Sequence, residues 1–213
     1  MCKLICGSRG LFVAGTDTNV GKTVVAACLV RALSADYWKP VQSGLIFSND
    51  SATVMQLTGI YTNRIHPCTY ALQAPLAPHE AARREGINIS LENFNFPQST
   101  NPIIVEGAGG LLVPLNDNHF IIDLIIKLHL PIILVTRSGL GTINHTLLSL
   151  EILRNRGLTV SAVIMNGPTN AANFIALKQY GKVPVKELPF VSKLDNSTLT
   201  TLSNLLIYQG LSL

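Results

Sequence analysis

The segment GTDTNVGKT, residues 15–23, leaves this chain few folds to choose from. It follows the apolar run LFVA and leads into KTVVAACLVRAL, which has the apolar spacing of an amphipathic helix. A strand, a glycine-rich loop and a helix in this order bind phosphate, because the loop amides and the positive end of the helix dipole both attract phosphate oxygens. The segment therefore predicts a nucleotide-binding α/β fold.

The loop departs from the usual phosphate-binding pattern in its glycine spacing. Five residues separate Gly15 from Gly21, whereas the usual pattern has four and would require glycine at Thr16. Lys22 can nevertheless reach the β- and γ-phosphates, and the Thr23 hydroxyl can ligate Mg²⁺. The alternative is a turn that contains Gly-Lys-Thr by chance. It does not account for the order of strand, loop and helix, so nucleotide binding is favoured.

Apolar runs rich in β-branched residues recur along the chain: YWKPV, PIIVEG, PIILVTR and TVSAVIMN. They are apolar on both faces, as in parallel strands covered by helices on both sides. Helix-period segments lie between them, and two of these, TINHTLLSLEILRNRG and NFIALKQYG, end in a glycine that suits a C-cap. The alternation predicts a P-loop NTPase-like, doubly wound, mostly parallel sheet with helices on both faces. We expect one domain over residues 1–213, with residues 1–10 as an N-terminal extension.

Composition and charge exclude several other classes of protein. The apolar region FIIDLIIKLHLPIILV contains Asp123, Lys127 and Pro131, which predict a helix followed by a buried strand and no membrane association. The net charge of +4 is not concentrated in a basic block, so nucleic acid is not expected as a partner. The start of the chain has no secretory apolar region, which predicts a cytoplasmic protein. Residues 44–100 predict loops around short helices, inserted over the ligand edge.

The strand PIIVEGAGG ends in Glu106, followed at once by small residues. A carboxylate at the carboxyl end of a strand beside the phosphate-binding strand can hold Mg²⁺ directly or through water. A glutamate that merely ends a strand at the surface would leave the run of glycines unexplained. The sequence therefore favours a functional role for Glu106.

Four other features are ambiguous from the residues alone. Lys39 in WKPVQSG could neutralise charge on a transferring phosphoryl group or be an ordinary solvated lysine. Asp50 has the surroundings of a turn or a helix cap. The turn GLGTINH is either a second anion pocket or a tight connection, and it lacks the third glycine of a dinucleotide fingerprint. Asn166 in MNGP could bind a base edge or make a turn.

Taken together, the motifs have a specific family likeness. Seven motifs follow one another along nearly the whole chain. They are GTDTNVGKT with its long glycine spacing, KPVQSG, APLAPHEAA, IIVEGAGGLLVPL, RSGLGTINHT, MNGP and ELPF. In these motifs and their order the chain resembles the dethiobiotin synthetase family. In that family the extra loop residue is a regular feature, which answers the question of the spacing.

The resemblance implies an ATP- and Mg²⁺-dependent ligase of biotin biosynthesis. In the family, CO₂ adds to an amine of 7,8-diaminononanoate, ATP phosphorylates the resulting carbamate, and the neighbouring amine closes the ring to give dethiobiotin. The resemblance also implies a homodimer, in which the GLGTINH turn of one subunit helps to hold the substrate carboxylate bound mainly by the other.

The same resemblance assigns roles to individual residues. Lys39 and Lys22 are the catalytic lysines. The Mg²⁺ ligands are Thr23, Asp50 and Glu106. The substrate-binding residues are Thr18, Ser43 and Asn144. The ATP-binding residues are Asn19, Val20, Gly21, Lys22, Thr23, Val24, Asp50, Glu106, Gly107, Ala108, Gly109, Asn166, Gly167 and Pro189.

Two departures and two other classes of protein bear on this assignment. Asn19 stands where many relatives have glutamate, and residues 116–120 are short for the family. A P-loop switch ATPase of the partition kind would carry a lysine early in the loop, where this chain has Asp17. An amidase-coupled ligase of the cobyrinic acid diamide type would need a glutaminase domain, for which 213 residues leave no room.

Overall fold

The computed structural model describes residues 9–210, so most of the expected N-terminal extension, residues 1–8, lies outside the described residues. The strands are β1 (Gly10–Gly15), β2 (Asp36–Trp38), β3 (Val41–Gln42), β4 (Ile65–His66), β5 (Tyr70–Ala71), β6 (Ile103–Gly110), β7 (Ile132–Arg137), β8 (Val160–Gly167) and β9 (Val185–Pro189). Seven of them form one sheet in the order β4-β2-β6-β1-β7-β8-β9, and every neighbouring pair is parallel. The predicted parallel sheet is confirmed.

Helices cover both faces of this sheet, as predicted. They are α1 (Lys22–Leu33), α2 (Asp50–Thr58), α3 (Pro78–Arg84), α4 (Ile121–Leu128), α5 (Thr142–Asn155), α6 (Ala171–Gly181) and α7 (Asn196–Tyr208). One buried cluster joins the sheet to α1, α2 and α7, and another joins it to α3, α4, α5 and α6. Within residues 9–210, no helix has the length and apolar character needed to cross a membrane.

Strand β1 shows why the central strands read as continuous apolar runs. Leu11 and Val13 belong to the cluster with α1, whereas Phe12 and Ala14 belong to the cluster with α4. Successive side chains of a strand point to opposite faces, so both faces must be apolar where both are covered. Burial of each large apolar side chain contributes about 1.5–3 kcal/mol, which holds β1 in the centre of the sheet.

The predicted strand YWKPV is wrong as a single element. It divides into β2 in the main sheet and β3, which pairs with β5 in a separate two-stranded sheet. Pro40 lies at the break, and proline has no amide hydrogen to donate to a sheet ladder. Its carbonyl instead accepts hydrogen bonds from the amides of Thr69 and Tyr70. Lys39 consequently lies at the carboxyl end of β2, between two strands.

One of the two predicted glycine caps is confirmed and the other is wrong. Gly157, just after α5, has a φ of 67°, as expected for a residue that ends a helix. Gly181 is instead the last helical residue of α6, and Lys182 adopts the left-handed conformation with a φ of 50°. A Cβ on Gly181 would lie 3.4 Å from Leu150 of α5, so this glycine lets the two helices pack closely.

Residues 44–100 form more than the predicted loops around short helices. They include α2 and α3, but they also supply β4 at the edge of the main sheet and β5. Strands of two residues give almost no alternation pattern in the sequence, which is why neither was predicted. The strand β9 was also not predicted, although ELPF had been singled out for the family resemblance.

Candidate functional site

A cavity of about 960 Å³ opens at the carboxyl ends of the central strands. Residues of the phosphate loop and the start of α1 line it, together with the end of β6 and residues of the segments 42–50 and 75–78. In a parallel sheet with helices on both faces, ligands bind at this edge. The cavity has a size suited to a small-molecule site. The segment 44–100 therefore does reach over the ligand edge, as predicted.

Position 15 requires glycine because a side chain there would collide with Lys22 and with the Asp17 carbonyl. The Lys22 ammonium donates to the Asp17 carbonyl at 2.8 Å, so its side chain folds back over the loop. A Cβ on Gly15 would lie 2.8 Å from Lys22 Nζ and 2.9 Å from the Asp17 oxygen, closer than such atoms approach. The shifted first glycine therefore has a steric cause in this loop.

The other end of the loop has its own backbone requirements. Gly21 has a φ of 94°, and a Cβ there would lie 2.1 Å from the amide nitrogen of Asn166. Asn19 has a φ of 58°, a left-handed conformation that asparagine tolerates better than most residues. The asparagine at this unusual position therefore has a structural explanation independent of its side-chain chemistry.

Lys39 lies at the centre of a buried group of charges beside the loop. Its ammonium is 2.6 Å from Asp50 Oδ2 and 2.9 Å from Glu106 Oε1, and it donates to the Gly107 carbonyl at 3.0 Å. Burial by itself lowers the pKa of Lys39, but the Glu106 and Asp50 carboxylates outweigh that effect and raise the pKa above its usual value. Lys39 is therefore charged at neutral pH.

Glu106 is completely buried and accepts hydrogen bonds on both oxygens. Thr23 Oγ1 donates to Oε1 at 2.9 Å, and Tyr37 donates to Oε2 at 2.7 Å. The three predicted Mg²⁺ ligands thus come together, with Thr23 contacting Glu106, and Lys39 bridging Glu106 to Asp50. Two carboxylates and a hydroxyl suit a hard cation that takes oxygen ligands.

This donor set is small for a metal bound by protein alone. Among residues 9–210, no group of three or more His, Cys, Asp or Glu side chains is placed to hold a metal ion. Mg²⁺ in nucleotide sites is usually held by one or two carboxylates, with water and phosphate oxygens completing the shell. The geometry therefore fits a cation that arrives with a nucleotide.

Lys22 is the second buried lysine of the cavity. Burial, and then the nearby charge of Lys39, lower its pKa to about 8, and the surrounding carboxylates offset these effects only in part. Within the described part of the chain it has no close carboxylate partner of the kind that Lys39 has, and its ammonium donates to a carbonyl. A bound phosphate would provide the missing counter-charge.

The predicted substrate residues are only partly brought together. Thr18 and Ser43 line the cavity, and within residues 9–210 no polar group hydrogen-bonds the buried Ser43 hydroxyl. Such an unpaired buried group is costly unless a ligand satisfies it. Asn144 is exposed on α5 and does not line this cavity. One protomer does not bring Asn144 to the site.

The predicted ATP-binding residues fall into three groups. Asn166 and Gly167 end β8, and Gly167 pairs with Pro189 of β9. These three do not line the large cavity, but Asn166 donates to the Val20 carbonyl at 3.0 Å and so lies against the phosphate loop. Val20 and Gly107 are buried and can contribute backbone groups only. The ATP-binding residues that line the large cavity are Asn19, Gly21, Lys22, Thr23, Val24, Asp50, Glu106, Ala108 and Gly109.

Several residues of the site were missed in the sequence. Tyr37 looked like an ordinary buried strand residue, and Gln42 had no assigned role although it belongs to KPVQSG. The apolar wall formed by Phe47, Val113 and residues 75–78 was also missed. The motif APLAPHEAA contained part of this wall, but without the fold nothing indicated which of its residues face the cavity.

Comparisons with known proteins agree with this geometry. A family model described as an AAA domain matches residues 9–198. The ATP-dependent dethiobiotin synthetase BioD of Paramagnetospirillum magneticum is 48% identical over 92% of this chain and 94% of its own length. That of Lawsonia intracellularis is 44% identical over 94% of this chain and 96% of its own length.

A further relative is larger than this chain. The biotin biosynthesis bifunctional protein BioCD of Bordetella avium is 53% identical over 88% of this chain, but the match spans 41% of that protein. This chain therefore corresponds to less than half of the bifunctional protein, whereas it spans nearly the full length of the two synthetases.

Solved structures with this fold include a ParA family ATPase from Chlorobium tepidum. It aligns with a TM-score of 0.56 at 15% identity and covers 96% of this chain and 95% of its own. A plasmid partition protein from Borrelia burgdorferi aligns with a TM-score of 0.53 at 9% identity, over 93% and 98%. At these identities the likeness concerns the fold alone, which is that of P-loop nucleotide-binding proteins.

Proposed function

The chain belongs to the dethiobiotin synthetase family, and on that premise we propose that it forms dethiobiotin from 7,8-diaminononanoate, CO₂ and ATP. One observation carries the assignment to this site: the buried Lys39 ammonium contacts both Asp50 and Glu106 beside the phosphate loop. Two lysines and two carboxylates around one cavity suit the transfer of a phosphoryl group between anionic partners.

The reaction proceeds in three steps. A neutral amine of the substrate attacks CO₂ and loses a proton, which leaves an anionic carbamate. A carbamate oxygen then attacks the γ-phosphorus of ATP, the bond from that phosphorus to the β–γ bridging oxygen breaks, and ADP leaves. The neighbouring amine finally attacks the carbamoyl carbon, phosphate departs with the bonding electron pair, and the ring closes with loss of a proton.

The residues of the phosphate loop would hold the triphosphate for the second step. Lys22 would leave the Asp17 carbonyl and bind the β- and γ-phosphates. The amides that follow Gly15, together with the start of α1, would accept the phosphate oxygens. Thr23, Asp50 and Glu106 would hold Mg²⁺, whose positive charge would offset the negative charge of the triphosphate.

Lys39 would act on the transferring phosphoryl group. Two anions, the carbamate and the triphosphate, must approach each other, and a fixed ammonium between them lowers the repulsion. The contacts to Asp50 and Glu106 support this role, because they hold the Lys39 charge in position before the substrates arrive. Electrostatic stabilisation that is already in place needs no rearrangement during the reaction.

The rest of the substrate would use both polar and apolar groups of the cavity. Thr18 and the unpaired Ser43 hydroxyl suit the diamine or its carbamate. The apolar wall of Val113 and residues 75–78 suits the methylene chain. Asn144 would reach the substrate from the partner subunit of a homodimer, which agrees with its exposed place on α5.

The nucleotide base would lie at the ends of β8 and β9. The Asn166 amide nitrogen donates to the Val20 carbonyl, and the side-chain oxygen can therefore accept a hydrogen bond from an amino group of the base. Gly167 and Pro189 would line the base plane.

We place the enzyme in the cytoplasm, with no nucleic acid or membrane as partner.

An ATP turnover assay tests this function directly. We expect phosphate release only when both diaminononanoate and bicarbonate are present, with dethiobiotin as the product. ATP hydrolysis at the same rate without the diamine, or hydrolysis that requires another protein, would contradict the proposal and favour a switch ATPase. Omission of Mg²⁺ is expected to abolish the reaction.

A further inference from the structure

Gln42 joins two backbone groups of the segment that carries Asp50. Its Nε2 donates to the Ser48 carbonyl at 2.9 Å, and its Oε1 accepts from the Asp50 amide at 3.1 Å. The side chain is almost completely buried, with 5% exposed. Because the amide must present its nitrogen to a carbonyl and its oxygen to an N–H group, these partners set its orientation.

The backbone of Gln42 is itself held in place. Gln42 belongs to β3 and pairs with Ala71 of β5, and its carbonyl accepts from the Leu72 amide at 2.8 Å. The segment that it contacts has no strand or helix of its own before α2 and turns back through hydrogen bonds from Phe47 and Ser48 to the Gly44 carbonyl. Gln42 thus connects a paired strand to an irregular loop.

The same side chain completes the start of α2. The first N–H groups of a helix have no partner inside the helix. Asn49 accepts from the Ala52 amide at 3.0 Å, and Gln42 accepts from the Asp50 amide. The two side chains together hold the first turn of α2, and Asp50 is the residue at its start.

Asp50 depends on this support more than Glu106 does. Glu106 is held by Thr23, Tyr37 and Lys39, whereas within residues 9–210 the Asp50 carboxylate pairs with Lys39 alone. The Asp50 side chain is also more exposed, at 23%. Its position relative to Lys39 is therefore decided largely by its backbone.

We infer that Gln42 is a positioning residue that holds Asp50 in place for Lys39 and for the Mg²⁺ ion that enters with ATP. The inference rests on the proposed function, which makes Asp50 a Mg²⁺ ligand. Groups that orient a metal ligand without touching the metal typically change metal affinity by about 10–100-fold when they are removed. Within residues 9–210 the Gln42 side chain hydrogen-bonds Ser48 and Asp50 and no residue of the phosphate loop, so we expect the binding of nucleotide without Mg²⁺ to depend little on it.

The test replaces Gln42 by methionine, which has a similar length and neither amide group. Calorimetric titration of Mg²⁺ into the purified chain with a non-hydrolysable ATP analogue is expected to give an affinity about tenfold weaker than in the unaltered protein. The affinity for the analogue without Mg²⁺ should not change. Amide hydrogen exchange of residues 44–52 should become faster in the chain without ligands. Unchanged Mg²⁺ affinity in Gln42→Met would overturn the inference, whether or not the exchange changes.

A matched control removes a similar amide bridge elsewhere. Asn116 donates to the Ile89 carbonyl at 2.8 Å and accepts from the amides of Asn118 and His119 at 2.9 Å. The substitution Asn116→Leu should leave Mg²⁺ affinity unchanged. A loss equal to that of Gln42→Met would mean that any weakened loop has this effect, and would overturn the specific role.

Two further variants separate the failure of this inference from failure of the proposed function. Asp50→Asn should weaken Mg²⁺ binding by itself, and adding Gln42→Met should cause little further loss, because both act through Asp50. If Asp50→Asn does not change Mg²⁺ affinity, the assignment of Asp50 as a Mg²⁺ ligand is refuted. If Asp50→Asn weakens Mg²⁺ binding but Gln42→Met does not, only the role of Gln42 is refuted.

A further variant serves if Gln42→Met does not fold. Gln42→Glu keeps the acceptor for the Asp50 amide and should retain tighter Mg²⁺ binding than Asp50→Asn. Equal losses in these two variants would overturn the inference.

Discussion

The Tyr37 hydroxyl donates a 2.7 Å hydrogen bond to Glu106 Oε2, and both side chains are completely buried. Burial, and then the charge of Glu106, raise the pKa of Tyr37 well above its usual value, so the hydroxyl is protonated and donates to Glu106 at neutral pH. The other Glu106 oxygen is thereby directed to Thr23 and Lys39. A tyrosine that does not line the cavity thus orients the central carboxylate of the site.

Replacement of Tyr37 by phenylalanine tests this relationship. The substitution leaves a buried carboxylate oxygen without its donor, and we expect a loss of about 1–3 kcal/mol in the free energy of unfolding, measured with urea. Turnover should fall as well, because Glu106 can then rotate away from Thr23. Tyr61→Phe is the control, since Tyr61 is largely exposed and should show neither effect. Unchanged stability and turnover in Tyr37→Phe would show that Glu106 is held by its other partners alone.

Replacement of Lys39 by alanine separates catalysis from binding. We expect turnover to fall by about two to four orders of magnitude, the scale of losing a charge that stabilises a transition state, while ATP affinity stays nearly the same. Stopped-flow turnover and nucleotide titration measure the two quantities. The variant should also be less stable without ligands, because Asp50 and Glu106 lose their shared counter-charge. Equal losses in affinity and turnover would show that the catalytic role is misassigned.

Replacement of Gly15 by alanine tests the steric explanation of the loop spacing. The added methyl group would collide with Lys22 Nζ and with the Asp17 carbonyl. We expect ATP affinity to fall by about tenfold or more, equivalent to at least about 1.4 kcal/mol. Gly139→Ala is a matched control, because a Cβ at Gly139 would meet no atom within 4 Å. Wild-type ATP affinity in Gly15→Ala would mean that Lys22 adapts without cost.

Asp36, at the start of β2, makes stability depend on pH. Burial raises its pKa, but hydrogen bonds from Ser99, Arg64 and Asn101 outweigh this and leave the pKa below its usual value. A carboxyl group with a lowered folded-state pKa stabilises the fold above its unfolded pKa of about 3.9, and this contribution disappears as the pH falls through the folded-state value.

The substitution Asp36→Asn should therefore reduce the free energy of unfolding at pH 7 by about 1.5–3 kcal/mol, the range for a hydrogen-bonded charge. The difference between the two proteins should shrink as the pH is lowered below about 4. Urea unfolding at a series of pH values measures it. A difference that stays constant down to pH 3 would mean that the carboxylate charge plays no part.

The pattern of buried strands and helices could be predicted from residue order, because it is local. A strand covered on both sides needs an unbroken apolar run, as in β1, and a helix needs apolar residues at its own period, as in α1. The prediction was wrong where an element depends on its neighbours. YWKPV was divided because Val41 pairs with Tyr70 of β5, and Gly181 lies inside α6 because that helix packs against Leu150.

The phosphate loop was determined by the sequence alone, because its glycines, Lys22 and Thr23 all lie within nine residues and their chemistry depends on local backbone geometry. The partners of Lys39 were decided only by the tertiary structure. Lys39 and Glu106 are 67 residues apart, and they meet because β2 pairs with β6. Sheet order results from packing of the whole chain and leaves no signal in the spacing of one sequence, so the roles of Tyr37 and Gln42 emerged only with the fold.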